Sequence, residues 1–183
     1  LEDVVELTMG QSPKSKYYNE SGDGVPFLQG NSTFGERHPK IERFTTKPTR
    51  IASKNDILMS VRAPVGDLNI CNVEKLCIGR GLCSIRMKNN KQDFLYYLLR
   101  FYMKKLRNRE SGTVFPSVNK RDIESLLINL PPLTEQKAIA DTLSILDDKI
   151  ELNNKINKNL EAQAQAIFKH WFIDFEFPDE NGN

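Results

Sequence analysis

Two polar segments near the start of the chain concentrate side chains that carry positive charge or donate hydrogen bonds. Residues 11–17 contribute Gln11, Ser12, Lys14, Ser15, Lys16 and Tyr17, and residues 29–38 contribute Gln29, Asn31, Ser32, Thr33, Arg37 and His38. Two further arginines, Arg62 and Arg80, lie close to glycine and proline residues, where a tight turn can project a guanidinium group. Together these side chains offer the charge and the donors that an anionic ligand would need.

Carboxylates and thiols could in principle hold a metal ion, but their spacing does not favour it. Asp56, Asp67 and Glu74 could surround a cation, although nothing in their spacing requires it. The three cysteines recur every six residues from Cys71 to Cys83 without a nearby histidine, whereas zinc sites usually contain close pairs such as Cys-x-x-Cys. We interpret the cysteines as core thiols, and their odd number predicts a reducing compartment.

Charge is unevenly distributed along the 183 residues. Residues 1–131 contain 21 Lys and Arg against 14 Asp and Glu, whereas residues 132–183 contain 5 against 10, which leaves a formal net charge of +2. The basic part suggests a polyanionic partner, although an excess of this size is also common in soluble proteins. No apolar run approaches the ~18–20 residues of a membrane span, and the acidic, amphipathic N-terminus is unlike a secretory signal. We therefore expect a cytoplasmic protein without a membrane partner.

The first 131 residues alternate short apolar runs with turn residues, which predicts an irregular, mostly-β domain of the α+β class with packed helices. We expect strands at residues 4–9, 25–29, 56–61, 67–71, 76–78, 82–87 and 128–130. Apolar residues at helical spacing predict one helix over 93–106 and a shorter one over 118–127, for which Asn119 is a candidate N-cap. The polar segments would lie on the loops of this domain.

Residues 132–183 predict one long helix with an apolar edge. Thr134 is a candidate N-cap, and no Gly or Pro follows until Pro178. Steps of four and three residues trace a continuous seam through Ile139, Leu143, Leu146, Ile150, Asn153, Asn157, Leu160, Ala164, Ile167 and Trp171. About 37 helical residues would extend ~55 Å, which is more than a domain of this size could cover, so the seam requires a partner helix from another molecule. The asparagines could fix the register of a coiled coil, or they could face solvent while the seam drifts through Ile156.

Ordered motifs along the whole chain resemble the specificity (S) subunits of type I restriction-modification systems. The second part of the chain supplies residues 129–143 (NLPPLTEQKAIADTL), 146–150 (LDDKI) and 166–175 (AIFKHWFIDF). The first part supplies residues 10–13 (GQSP), 26–30 (PFLQG), 56–66 (DILMSVRAPVG) and 111–118 (SGTVFPSV). Each short motif is weak by itself, but the ordered set is highly specific.

The resemblance implies a non-catalytic subunit that recognises double-stranded DNA. S subunits usually carry two target recognition domains, each followed by a long helix, and each domain reads one half of a split target. The helices pack antiparallel as a spacer, and the subunit docks DNA methyltransferase subunits and, through them, restriction subunits. Residues 1–131 would be one target recognition domain and residues 132–183 one conserved helix, as in a half-subunit or a fragment. A half-subunit could rebuild the full arrangement as a homodimer through the seam. In a fragment, the seam would instead pair with the second half of a longer S subunit.

DNA contacts would then come from the loops of the recognition domain. Lysine and arginine would bind phosphates, and side chains in the major groove would read base edges. Our candidates are Gln11, Ser12, Lys14, Lys16, Tyr17, Asn31, Arg37, His38, Arg62, Arg80, Thr113 and Phe115. Arg62 could instead pair with Asp56 or Asp67, and Thr113 and Phe115 could belong to a structural loop.

Two other functions stay open on the sequence. A stand-alone metal-dependent nuclease would use the three carboxylates named above. A pure interaction module would use the globular part only as a cap on a coiled coil that dimerises. The chain has no Asn-Pro-Pro-Phe/Tyr methyltransferase motif, no Gly-rich cofactor loop after a strand and no Walker A pattern, so we expect neither catalysis nor a cofactor.

Overall fold

The computed structural model describes residues 1–109 and 117–176, except for the side chains of residues 104–109. It divides into two units, Leu1–Ala140 and Asp141–Asn183. The division falls after the boundary that we expect at residue 131, because Gln136 and Ala140 of the long helix are buried.

The described part of the first unit contains nine strands in two sheets. The strands are β1 Val5–Met9, β2 Tyr18–Asn19, β3 Val25–Leu28, β4 Phe44–Thr45, β5 Ile51–Ser53, β6 Ile57–Ser60, β7 Leu68–Ile70, β8 Lys75–Ile78 and β9 Leu82–Met87. One sheet is antiparallel with the order β1-β9-β6-β7. The other has the order β2-β4-β3-β8-β5, in which β3 and β8 run parallel. The mostly-β architecture that the alternation predicts is therefore confirmed.

An apolar core joins residues of both sheets. β6 is buried at all four positions, as an uninterrupted apolar run predicts. Leu58 of β6 and Leu82 of β9 belong to one cluster with Leu28, Leu76 and Ile78 of the second sheet. Each side chain of this kind contributes roughly 1.5–3 kcal/mol when fully buried, so the cluster fixes the strands whose ends carry the candidate site.

The three cysteines are core thiols, as their spacing predicts. All three are buried and free. Burial raises the pKa of the Cys71 thiol to about 11 and that of the Cys83 thiol to about 12. Both thiols are therefore protonated at neutral pH and are poor nucleophiles.

Three α-helices follow the strands in the described residues. Helix α1, Gln92–Arg109, packs against β6, β7 and β9 and buries the apolar run from Phe94 to Leu99. Helix α2, Lys120–Glu124, opens with the predicted cap: the Asn119 side chain accepts from Arg121 N and Asp122 N, and the Asp122 side chain accepts from Asn119 N. Helix α3, Leu133–Phe168, is the predicted long helix, and a π-helical turn over Lys169–Ile173 ends it.

Some predicted boundaries are wrong. Residues 128–130 form no strand, and the backbone N–H of Asn129 donates to the Tyr102 hydroxyl at 3.0 Å rather than to a neighbouring strand. Helix α2 is shorter than residues 118–127, because its capping box starts it only at Lys120. Thr134 lies inside the first turn of α3, since Gln136 N already donates to Pro132 O at 3.0 Å.

The second unit consists of most of α3 and the π-helical turn. Every described residue from Leu152 to Glu176 is exposed. Among the described residues, no helix combines the length and the apolar character that crossing a bilayer would require.

Candidate nucleic-acid interface

Three backbone segments meet at one end of the strands and form what we call the glycine junction: residues 10–12, 28–30 and 78–82. Gly10 N donates to Leu82 O at 2.9 Å, and Gln11 N donates to Ile78 O at 2.9 Å. On the other side, Gly79 N donates to Leu28 O at 2.7 Å, and Gly81 N donates to Gln29 O at 3.2 Å. The turn that carries Arg80 is thus held by backbone hydrogen bonds to segments far away in sequence.

The glycines of the junction are required by this close approach of backbones. A Cβ atom on Gly10 would overlap the carbonyl oxygen of Gly79 and lie 2.7 Å from that of Leu82. A Cβ atom on Gly79 would lie 2.8 Å from the Gln29 Cα, and one on Gly81 would lie 2.8 Å from the Gln29 carbonyl oxygen. Any side chain would therefore push the three segments apart.

We predict that Gly10→Ala destabilises the fold by about 1–3 kcal/mol, the usual cost of overpacking. Gly30→Ala is the matched control, because a Cβ atom there meets no atom within 4 Å. Chemical denaturation of both variants tests the prediction. Equal midpoints for Gly10→Ala and Gly30→Ala would show that the junction tolerates a side chain.

Ser12 fixes the Arg80 turn from within the junction. Its Oγ accepts a hydrogen bond from Gln29 Nε2 at 2.9 Å and another from Arg80 N at 3.2 Å. The Arg80 side chain is exposed, and its guanidinium has no hydrogen bond or ion pair in the part of the chain that the structure describes. The junction therefore presents a free arginine from a turn held on both sides. A guanidinium of this kind suits bidentate contact with the O6 and N7 atoms of guanine.

The cationic side chains next to the junction come from two segments, residues 11–17 and 43–50, which are joined by hydrogen bonds. The Thr49 hydroxyl donates to Gln11 O, and Thr46 N donates to Tyr17 O at 3.1 Å. These bonds bring residues 43–50 beside residues 11–17. All the cations of this region are exposed and form no ion pair among the described residues: Lys14, Lys16, Arg43, Lys47, Arg50 and Arg80. The sequence reasoning missed Arg43, Lys47 and Arg50, because the strands that bring them here are too short to show alternation.

Tyr17 and Tyr18 lie among these cations. Lys16 Nζ and Lys47 Nζ are 5.1 Å and 4.8 Å from the centroid of the Tyr17 ring. The Arg43 guanidinium carbon is 5.9 Å from the centroid of the Tyr18 ring. The Tyr18 hydroxyl donates to Pro13 O at 2.8 Å. Tyr18 is thus fixed within the domain by a hydrogen bond, whereas two lysine ammonium groups lie near the Tyr17 ring.

Arg62 is also exposed and without a side-chain partner in the described residues. Arg62 forms neither of the ion pairs that the sequence leaves open. Asp56 accepts from Arg86 Nε at 2.6 Å, and Asp67 accepts from Asn31 Nδ2 at 2.7 Å. The hydrogen bond that Arg86 donates to Asp56 raises the pKa of the Arg86 guanidinium further. Arg62 therefore stays a candidate for DNA contact.

The second polar segment mostly has internal partners. Asn31 donates to Asp67, and His38 Nδ1 lies 3.0 Å from the Ile70 carbonyl oxygen. Arg37 O accepts from Ile70 N at 2.8 Å, and Arg37 makes a further interaction within the chain. These contacts hold residues 31–40 onto β7. Thr113 and Phe115, the other predicted DNA contacts, lie outside the described residues.

The carboxylates of the nuclease hypothesis have separate partners. Asp56 binds Arg86, Asp67 binds Asn31, and Glu74 forms an ion pair with Lys54 at 2.8 Å. Within residues 1–109 and 117–176, no group of three His, Cys, Asp or Glu side chains is arranged to hold a metal ion. The three carboxylates named for this hypothesis are therefore committed to other contacts.

The seam of α3 is a second candidate interface. Its large apolar members are exposed, for example Leu146 at 55% and Leu160 at 56%. Leu143 is half-buried, and Asn153 and Asn157 are exposed. The remaining members Ile139, Ile150, Ala164, Ile167 and Trp171 are exposed as well. An apolar edge of this length left in water marks a surface for association.

Comparison with known proteins identifies the class to which this fold belongs. A family model described as the type I restriction modification DNA specificity domain matches residues 1–162. The putative type I restriction enzyme MjaX specificity subunit of Methanocaldococcus jannaschii is 46% identical over 168 residues, which cover 91% of this chain and 39% of that protein.

Two solved structures have the same fold. The crystal structure of the HsdS subunit from Thermoanaerobacter tengcongensis matches with a TM-score of 0.71 and 34% identity, over 93% of this chain and 43% of that one. A chain from a structural study of complex assembly and conformational transition in the type I restriction-modification system matches with a TM-score of 0.73 and 35% identity, over 90% and 41% of the two chains.

The chain belongs to the family of type I restriction-modification DNA specificity domains. This confirms the resemblance that its motifs carry. The chain spans about two fifths of the length of the relatives that it matches.

Proposed function

We propose that this chain is a sequence-recognition subunit that reads one half of a bipartite DNA target. The first unit is the target recognition domain, and it binds DNA with the face that carries the glycine junction and its neighbouring cations. The observation that carries this proposal is a group of six exposed cations from three separate segments at and beside the glycine junction, none of which forms an ion pair among the residues that the structure describes. Their charge provides affinity for phosphates, and the fixed Arg80 turn provides contact with bases.

The DNA-binding face of the first unit and the seam of α3 have different roles. DNA recognition falls to the first unit, while α3 joins the chain to other subunits of a restriction-modification complex. We propose that methyltransferase subunits dock on this chain and that restriction subunits act through them. The chain itself contributes recognition and spacing rather than catalysis, which agrees with the specificity subunits among its relatives.

The seam fits an antiparallel partner with the same sequence. In a pairing centred on Lys155, Asn153 of one helix lies opposite Asn157 of the other. The same register places Ile150 opposite Leu160 and Leu146 opposite Ala164. The asparagines can then hydrogen-bond to each other, whereas a shifted register would set each against an apolar side chain. We therefore propose a homodimer that places two recognition domains on one DNA duplex.

A gel-shift comparison tests the proposal. The methyltransferase subunit is assayed with and without this chain, on duplexes of different sequence and at fixed salt. We expect the chain to add affinity that depends on the sequence of the duplex. A complex that binds all duplexes as weakly as the methyltransferase subunit does by itself would overturn the recognition function.

A further inference from the structure

The side chains around Tyr17 form a small cationic site that is separate from the Arg80 turn. The ammonium groups of Lys16 and Lys47 lie 5.1 Å and 4.8 Å from the centre of one aromatic ring. Both lysines are exposed, and neither forms an ion pair in the described part of the chain. The negative face of the ring attracts each ammonium group, but the two like charges repel each other. An anion bound beside the ring would interact with both charges and offset this repulsion.

The backbone fixes the position of this site. Tyr17 N donates to Lys14 O at 3.0 Å, which closes the short 3₁₀ turn that carries Lys16. Lys47 follows β4, and β4 pairs with β2 directly after Tyr17, with Thr46 N donating to Tyr17 O at 3.1 Å. Residues thirty positions apart therefore meet at the ring before any ligand binds, which lowers the entropy cost of binding.

We propose that Lys16, Tyr17 and Lys47 form a phosphate clamp, which binds the DNA backbone and reads no base. This inference rests on the proposed DNA-binding function. An ammonium group is a compact charge without the planar fork that matches a base edge, so two lysines suit phosphate oxygens better than a base pair. The clamp sets affinity and register, while Arg80 sets sequence preference.

The salt dependence of DNA binding distinguishes these roles. The assay measures the affinity of the chain in complex with the methyltransferase subunit for a random-sequence duplex, at several salt concentrations. Each phosphate contact contributes about 0.9 to the slope of log affinity against log salt. We expect Lys16→Ala/Lys47→Ala, which removes this one phosphate site, to lower that slope by about 0.9, so the advantage of the wild type shrinks roughly 3.5-fold between 50 and 200 mM salt. Sequence preference, measured by selection from a randomised duplex pool, stays unchanged.

Three further variants separate the ring from the charges. Lys54→Ala is the matched control, since Lys54 is an exposed lysine that pairs with Glu74, and we expect it to keep the wild-type slope. Tyr17→Phe keeps the ring and the slope, whereas Tyr17→Leu removes the ring and gives a smaller slope although both lysines remain. Thermal unfolding of each variant confirms that it is folded.

The outcomes separate failure of the clamp from failure of the proposed function. If the wild-type chain adds no DNA affinity to the methyltransferase subunit at any salt concentration, both the proposed function and the clamp are wrong. If the wild type binds DNA but the double substitution leaves the slope unchanged, or alters sequence preference instead, the clamp alone is wrong.

Discussion

Replacing Arg80 with alanine is expected to reduce affinity for the preferred DNA sequence roughly 5–150-fold, the loss of ~1–3 kcal/mol that one bidentate base contact provides. The Arg80 side chain is exposed and has no partner in the described residues, so the thermal stability of the variant should equal that of the wild type. Affinity for a random duplex should fall only a few-fold, because one charge among many is lost. Fluorescence anisotropy with both duplexes measures the two effects.

Arg80→Lys provides the control for charge. Lysine keeps the positive charge but lacks the planar fork of arginine, so this variant should bind a random duplex like the wild type and still lose discrimination. A parallel fall of both affinities in Arg80→Ala would instead make Arg80 a phosphate contact. In that case the base-reading residue must be sought elsewhere, first at Arg62.

Charged substitutions in the seam should abolish self-association of the chain. Leu146 and Ile150 are 55% and 52% exposed, and each should contribute roughly 0.8–1.5 kcal/mol, about half the value of a fully exposed side chain, when a partner helix buries the rest. Leu146→Asp/Ile150→Asp removes four such side chains from a dimer and places carboxylates in the seam. We expect the dissociation constant to rise at least ~10²-fold, which sedimentation equilibrium of the wild type and the variant measures.

Ala162→Asp controls for the added charge. Ala162 is exposed and lies about 120–160° around the helix from the two seam residues, so the same carboxylate there should leave the dimer intact. Two results contradict the proposed pairing. One is a wild-type chain that sediments as a single copy under all conditions, and the other is equal dissociation in both variants.

Long periodic patterns were predictable from the sequence, and short pairings were not. The apolar run of β6 and the four-and-three spacing of α3 each extend over enough residues to define an element. Strands β2, β4 and β5 have two or three residues each, and tertiary pairing rather than local propensity forms them. Strands β2 and β4 position the clamp, so the sequence alone does not place Lys47 beside Tyr17.

The role of Ser12 shows the same limit within the candidate site. Its hydroxyl group suggests a direct DNA contact, but the structure shows it accepting two internal hydrogen bonds from Gln29 and Arg80. The side chain of the neighbouring Gln11 is a predicted DNA contact. In the structure, the backbone N–H and carbonyl groups of Gln11 make its contacts at the junction. Residue type indicated which segments carry candidate side chains, whereas the partner of each polar atom depends on backbone geometry that only the fold determines.

Selection from a randomised duplex pool tests most directly whether this chain reads DNA. The complex of the chain with its methyltransferase subunit should enrich a defined short motif, and the Arg80→Ala complex should lose preference at one or two adjacent positions of that motif. The methyltransferase subunit assayed without the chain should enrich no such motif. A pool that stays random after selection with the wild-type complex, or the same motif from the methyltransferase subunit without this chain, would contradict the account.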